Sequence, residues 1–134
     1  SVNIHYITAL SIKAHSEMFV YTYRNCAEAG DNVTIWCQHG LNNADKIFWF
    51  KHTSGSVPLL LGCKQFRTSA PSPTCYFFNE SERIVVSVHD KSTSLTITAV
   101  NVSDTGLYYC SFSDKMIFSS FTSLQVKGKF IQNE

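Results

Sequence analysis

Apolar and polar residues alternate in short runs along this chain of 134 residues, and the runs read as strands, with no convincing helix among them. "NVTIWC" (32–37) places Val33, Ile35 and Cys37 on one face. "KIFWFKH" (46–52) sets Ile47, Trp49 and Lys51 against Phe48, Phe50 and His52. "VPLLLG" (57–62) is a short apolar run, and "RIVVSV" (83–88) and "SLTITAV" (94–100) alternate again. "GLYYCSF" (106–112) and "SFTSLQVK" (120–127) complete the set. Gly30-Asp31, Ser54-Gly55-Ser56, Pro71-Ser72-Pro73 and Asp90-Lys91-Ser92 mark turns between them. Short alternating strands at spacings of roughly 8–12 residues predict an all-β, two-sheet sandwich. Residues 1–14 carry the same alternation in "VNIHYITALSI". They are expected to form a further strand, paired with an edge of their own sheet or a neighbour's.

One stretch, "NVSDTGLYYCSF" (101–112), sets Asp104, Gly106, Tyr108 and Cys110 on one side of an extended segment. Cys37 and Cys110 both have inward phases, so a disulfide between them would join two sheets about 10 Å apart through the core. Trp49 points inward too and would pack against that bridge. Tyr108, two residues before Cys110, has the placement of a tyrosine corner, and Gly106 suits the bend that starts the strand. Asp104 enters a partly buried corner and needs a cation, for which Arg83 is the best candidate. If that pair is buried, Arg83→Ala costs about 3–5 kcal/mol.

Composition narrows the function classes. The net charge is +1 and charged residues make up 16%, so nothing steers the chain toward nucleic acid or an anionic membrane. No apolar run reaches the roughly 18 residues that span a bilayer. With no charged-then-apolar leader, the chain reads as a mature or excised segment, and any membrane anchor is expected beyond Glu134. The five cysteines, Cys26, Cys37, Cys63, Cys75 and Cys110, contain no Cys-x-x-Cys pair. Cys37-Gln38-His39 is the nearest thing to a metal-ligand cluster, and no metal or cofactor is expected. Sequons at Asn32, Asn79 and Asn101, with widely spaced cysteines, point to glycosylation in an oxidising, secretory setting. His5, His15, His39, His52 and His89 fall on separate segments, with no nucleophile beside a base and an orienting acid, so catalysis is not expected.

Cys37, Trp49, Arg83, Leu95 and the run Asp104-Thr105-Gly106-Leu107-Tyr108-Tyr109-Cys110 together resemble an immunoglobulin variable-type (V-set) domain, a Greek-key sandwich, over about residues 16–127. The resemblance divides the chain into an extension (1–14), the V-set domain (15–128) and the start of a stalk or linker (129–134). "FSSFTSLQV" (118–126) is similar to the joining-segment strand of antigen receptors: Phe118, Thr122, Leu124 and Val126 match, while Ser119 and Phe121 replace its two glycines. That departure argues against a bulge in the strand and against a rearranged receptor chain. The closer likeness is to the innate V-set receptors of bony fishes, the novel immune-type receptors among them, which often carry extra cysteine pairs.

Several expectations follow from that resemblance. Cys63 and Cys75 would staple an edge loop, a bridge contributing up to roughly 3 kcal/mol, and Cys26 is left over on the first edge strand, free, modified or bridged to another chain. In V-set domains the outward face of the C, C′, F and G strands commonly meets another domain. Here Phe48, Phe50, His52, Pro58, Leu60, Tyr109, Met116, Ile117 and Phe118 would form that face, with exposed aromatics that mark an interaction site. The implied function is the ectodomain of a cell-surface immune-type receptor that recognises a protein ligand, or binds a second V-set chain as in a homodimer. The alternative is a homophilic cell-adhesion module.

Overall fold

The computed structural model describes residues 4–13, 17–38, 46–65, 83–89, 92–112 and 120–128, with side chains described within 23–38, 46–65, 83–89, 92–111 and 121–128. The described strands are β1 (Ile4–Lys13), β2 (Glu17–Glu28), β3 (Val33–Gln38), β4 (Lys46–His52), β5 (Leu59–Gln65), β6 (Ile84–Val88), β7 (Ser92–Ile97), β8 (Gly106–Phe112) and β9 (Ser120–Lys127). A 3-10 turn, Val102–Asp104, leads into β8.

Two sheets form, in the orders β1-β2-β9-β8-β4-β5 and β3-β7-β6. The chain changes sheet between β2 and β3, β3 and β4, β5 and β6, and β7 and β8, which is the crossing pattern of a variable-type Greek-key sandwich. Period-2 alternation turns Val33, Ile35, Val86, Leu95 and Ile97 of the small sheet toward Ile47, Trp49, Tyr108, Leu124 and Val126 of the large one, and these make the core. Cys37 and Cys110 join the sheets in a disulfide with Cα atoms 6.4 Å apart. Trp49 lies opposite Cys110 in the ladder. Its indole N–H donates to Thr93 Oγ1 at 3.3 Å, and that hydroxyl donates to the Ser87 carbonyl at 3.0 Å. This relay settles the only polar atom of a buried tryptophan.

The corner around Asp104 is built as follows. Tyr108 donates its hydroxyl to the Asp104 carbonyl at 2.5 Å. Asp104 Oδ2 accepts from Arg83 Nη2 at 2.5 Å and from the Asn101 N–H at 2.9 Å. Arg83 also reaches the carbonyls of Thr98 and Ala99, each at 3.3 Å. The Arg83 side chain is 42% exposed, so the pair is only half-buried. Burial, and then the Asp104 charge, push the Tyr108 phenol well above the ordinary tyrosine range, against the pull of Arg83. Gly106 has a different reason from the expected bend. A Cβ there would stand 3.1 Å from Lys51 Cε and 3.2 Å from the His52 carbonyl, so close approach of β4 leaves a side chain tightly crowded.

β2 is not an edge strand. β1 pairs antiparallel along one side of it, from Ile4–Cys26 to Lys13–Glu17, and β9 runs parallel along the other. Cys26 is a free thiol of intermediate burial, while its neighbour Ala27 is buried in the core.

Candidate functional site

The outward face of the large sheet is set by register. Partners across an antiparallel ladder share a face. Ser111, Phe48 and Cys63 therefore make one row, and Tyr109, Phe50 and Leu60 the next. Phe121 extends the second row from β9, and Leu107 pairs with His52 in a third. The β4–β5 ladder shifts register between Trp49 and Phe50. Leu61 is the extra residue and turns into the core, which keeps Leu60 and Cys63 both outward.

The rings form a continuous run of contacts, two stacked and one tilted. Phe48 lies 6.4 Å from Phe50 at 28°, Phe50 lies 5.3 Å from Tyr109 at 19°, and Tyr109 lies 5.2 Å from Phe121 at 47°. All four are half-buried, although the sequence suggested that Phe48, Phe50 and Tyr109 are exposed, because each ring covers its neighbour. Burial raises the Tyr109 phenol above its usual range, so it stays a neutral hydroxyl at physiological pH. Ser111 and Cys63 are fully buried at one end of this face, and Ser111 Oγ has no hydrogen-bond partner. The accessible part narrows to Phe48, Phe50, Tyr109, Phe121, Leu60, Leu107 and His52.

The other named residues fall as follows. Pro58 is exposed in the turn before β5, not on the strand, beside exposed Val57 and Leu59. That turn is closed by Gly55 at φ 80° and by a 2.8 Å hydrogen bond between His52 Nε2 and the Ser56 carbonyl. Met116, Ile117 and Phe118 lie outside the described residues, as do Cys75 and Asn79. Cys63 is disulfide-bonded and sits within β5, not in a flanking loop. Asn32 and Asn101 are exposed. The Asn32 Oδ1 accepts the Ala99 N–H at 3.0 Å, and the Asn101 Oδ1 accepts the Ser103 N–H at 2.9 Å and the Ser103 hydroxyl.

Two features of the face were missed from sequence. Phe121 was read as a replaced joining-segment glycine, although its register with Tyr109 makes it the end of the ring stack. Arg24 is exposed, and its parallel register with Ser123 brings it to the same face, beside Phe121. The rim thus carries a cation that the sequence reading of the face did not include. Lys51 points elsewhere: its Nζ donates to the Ser103 carbonyl at 2.5 Å and lies 5.9 Å from the centre of the Tyr108 ring. Among the described residues no three His, Cys, Asp or Glu side chains gather as a metal site, and no helix is long and apolar enough to cross a membrane.

Residues 26–127 match the family model of the immunoglobulin V-set domain. This chain belongs to the immunoglobulin V-set family. Within it, the chain is 35% identical over 81 residues to human T cell receptor alpha variable 2, covering 60% of this chain and 62% of that relative. Less than two thirds of the curated relative is therefore spanned. Among solved structures, the extracellular fragment of novel immune-type receptor 11 from Ictalurus punctatus, with its stalk region, superimposes with a TM-score of 0.64 at 25% identity, over 82% of this chain and 88% of that one. The extracellular domain of the voltage-gated sodium channel β4 subunit, described as a parallel homodimer with a role in cell–cell adhesion, gives a TM-score of 0.65 at 18% identity, over 81% and 93%. At that identity the likeness is one of fold. This V-set domain resembles the fish receptors, the likeness expected from the sequence, and also T cell receptor variable domains.

Proposed function

We propose that this V-set domain is the ectodomain of a cell-surface immune-type receptor, non-catalytic, that binds a protein ligand through the β9-β8-β4-β5 face. The observation that carries the reading is the run of touching rings Phe48–Phe50–Tyr109–Phe121, four contiguous aromatics on an outward sheet face with no charged side chain between them. Aromatic anchors gathered at the centre of a patch, with polar groups at the rim, are the composition of a protein interface. Arg24 and His52 supply the rim. The likeness to the catfish receptor's extracellular fragment supports an extracellular place on the cell. Cys63 bridges Cys75 in this reading, since Cys37 pairs with Cys110 and Cys26 is free. Glycans are carried by Asn32, Asn79 and Asn101 in this reading, and those on Asn32 and Asn101 leave the face open, because these two sit in the turns before β3 and β8.

The test is a binding screen of the glycosylated domain against extracellular proteins, run beside Phe50→Arg and Tyr109→Arg. Each substitution should weaken a specific ligand at least about tenfold, the scale of a central aromatic anchor, while leaving the melting temperature near wild type. A ligand bound equally by both variants would refute the assignment of this face.

A further inference from the structure

β3 ends the small sheet, and among the described residues no strand pairs with its outer side. β6, at the other end, likewise has no strand paired on its outer side among the described residues, but it lies beside β5. β2 does not cover β3, since it lies between β1 and β9 in the large sheet. The open strand, Val-Thr-Ile-Trp-Cys-Gln, contains no charge and no proline, and it pairs with β7 over all six residues without a register shift. Natural sheets blunt such edges with charges, prolines or bulges. This one has none of them and carries Trp36, which is 51% exposed.

The hydrogen-bond phase shows which backbone groups are free. The His89 N–H donates to the Ser92 carbonyl and the Thr98 N–H to the Arg83 carbonyl, both at 2.8 Å. Bonding partners alternate along an antiparallel ladder, so Ser92, Ser94 and Thr96 bond toward β6, and Thr93, Leu95 and Ile97 toward β3. Their β3 partners Cys37, Ile35 and Val33 are thereby engaged. The N–H and C=O groups of Thr34, Trp36 and Gln38 point to the open edge.

We propose that this edge joins a second copy of the chain, β3 to β3 antiparallel, with Trp36 on the two-fold axis. Cross-strand partners must share a face, so the two paired residue numbers must have the same parity. Pairing Trp36 with Trp36, and Thr34 with Gln38, meets that condition and sets all the free backbone groups opposite one another. The two small sheets become one continuous sheet. Trp36 is already held for the contact: its ring leans on His89, with centroids 5.2 Å apart and planes tilted by 38°, and His89 Nε2 is hydrogen-bonded to Ser94 Oγ at 3.1 Å. Asn32 falls outside the paired span Thr34–Gln38, so a glycan there flanks the contact. The aromatic face lies on the opposite sheet and remains free, so this inference is independent of the ligand reading.

The chain has two tryptophans, and Trp49 is buried, so a change in tryptophan emission reports Trp36. The experiment follows sedimentation and emission over a concentration series, in a Cys26→Ser background that rules out interchain bridging, with glycans intact and trimmed. A dimer should form with a blue shift of emission. Trp36→Lys should weaken it at least about tenfold. Gln38→Pro should do the same, because it removes an N–H from the open edge and leaves the β7 ladder in place. Tyr109→Arg should leave the dimer unchanged. Circular dichroism checks that each variant is folded. A chain that stays monomeric throughout would overturn the proposal, as would a dimer that survives both β3 substitutions or one that is lost with Tyr109→Arg.

Discussion

Tyr108 and Arg83 make opposite demands on the same carboxyl corner. Tyr108 is buried with its hydroxyl on the Asp104 carbonyl, and its phenol titrates well above the ordinary value because burial disfavours the phenolate. Below about pH 10 folded and unfolded chains both hold that proton, and the stability is fully present. As pH rises further the unfolded chain loses the proton first, so stability falls. Tyr108→Phe should cost about 1–3 kcal/mol near neutral pH and flatten that alkaline decline, as read by denaturant melts at a series of pH values. Arg83→Ala should cost about 1–3 kcal/mol in the same assay, below the range for a fully buried pair. Half of the guanidinium is in water, and Asp104 keeps the Asn101 N–H. The roles of Asp104, Tyr108 and Cys110 were legible because they follow from local spacing and one phase. The Trp49–Thr93–Ser87 relay was not, because it depends on which two strands face each other across the core.

Strand phases were legible for β3, β4, β7 and β8, since a half-buried strand writes its period of two into the sequence. The Leu61 bulge was not. "VPLLLG" is apolar throughout, so nothing in it marks which leucine is the extra one. The parallel pairing of β2 with β9 was hidden too, because about a hundred residues separate the partners, from Tyr21–Ser120 to Glu28–Lys127. Pairing across such a span leaves no local signal. With it went the placing of Arg24 at the rim and of Cys26 on an inner strand. Close packing of β4 on β8 gives the element-scale prediction. Gly106→Val should destabilise by about 1–3 kcal/mol through overpacking against Lys51 and the His52 carbonyl. A thermal melt checks it, and an unchanged midpoint would mean that the two strands part easily there.

At the scale of the molecule the two sheets present different surfaces. The large sheet carries the stacked rings, and the small sheet carries a polar face with Trp36 at its open edge. The family and the sandwich could be read from the cysteines, Trp49 and the corner, because those residues build the core that every such sandwich shares. Phe48, Phe50 and Tyr109 could be read from phase. The end of the line, Phe121, required the β8–β9 register. A ligand that docks on the rings should register changes on one sheet and ignore the other. The most direct test therefore compares Phe50→Arg on the large sheet with Val85→Arg, an exposed position on the small one, against the same purified ligand by surface plasmon resonance. The account predicts at least about a tenfold loss for Phe50→Arg and wild-type affinity for Val85→Arg. Wild-type affinity for Phe50→Arg with a loss for Val85→Arg would contradict it.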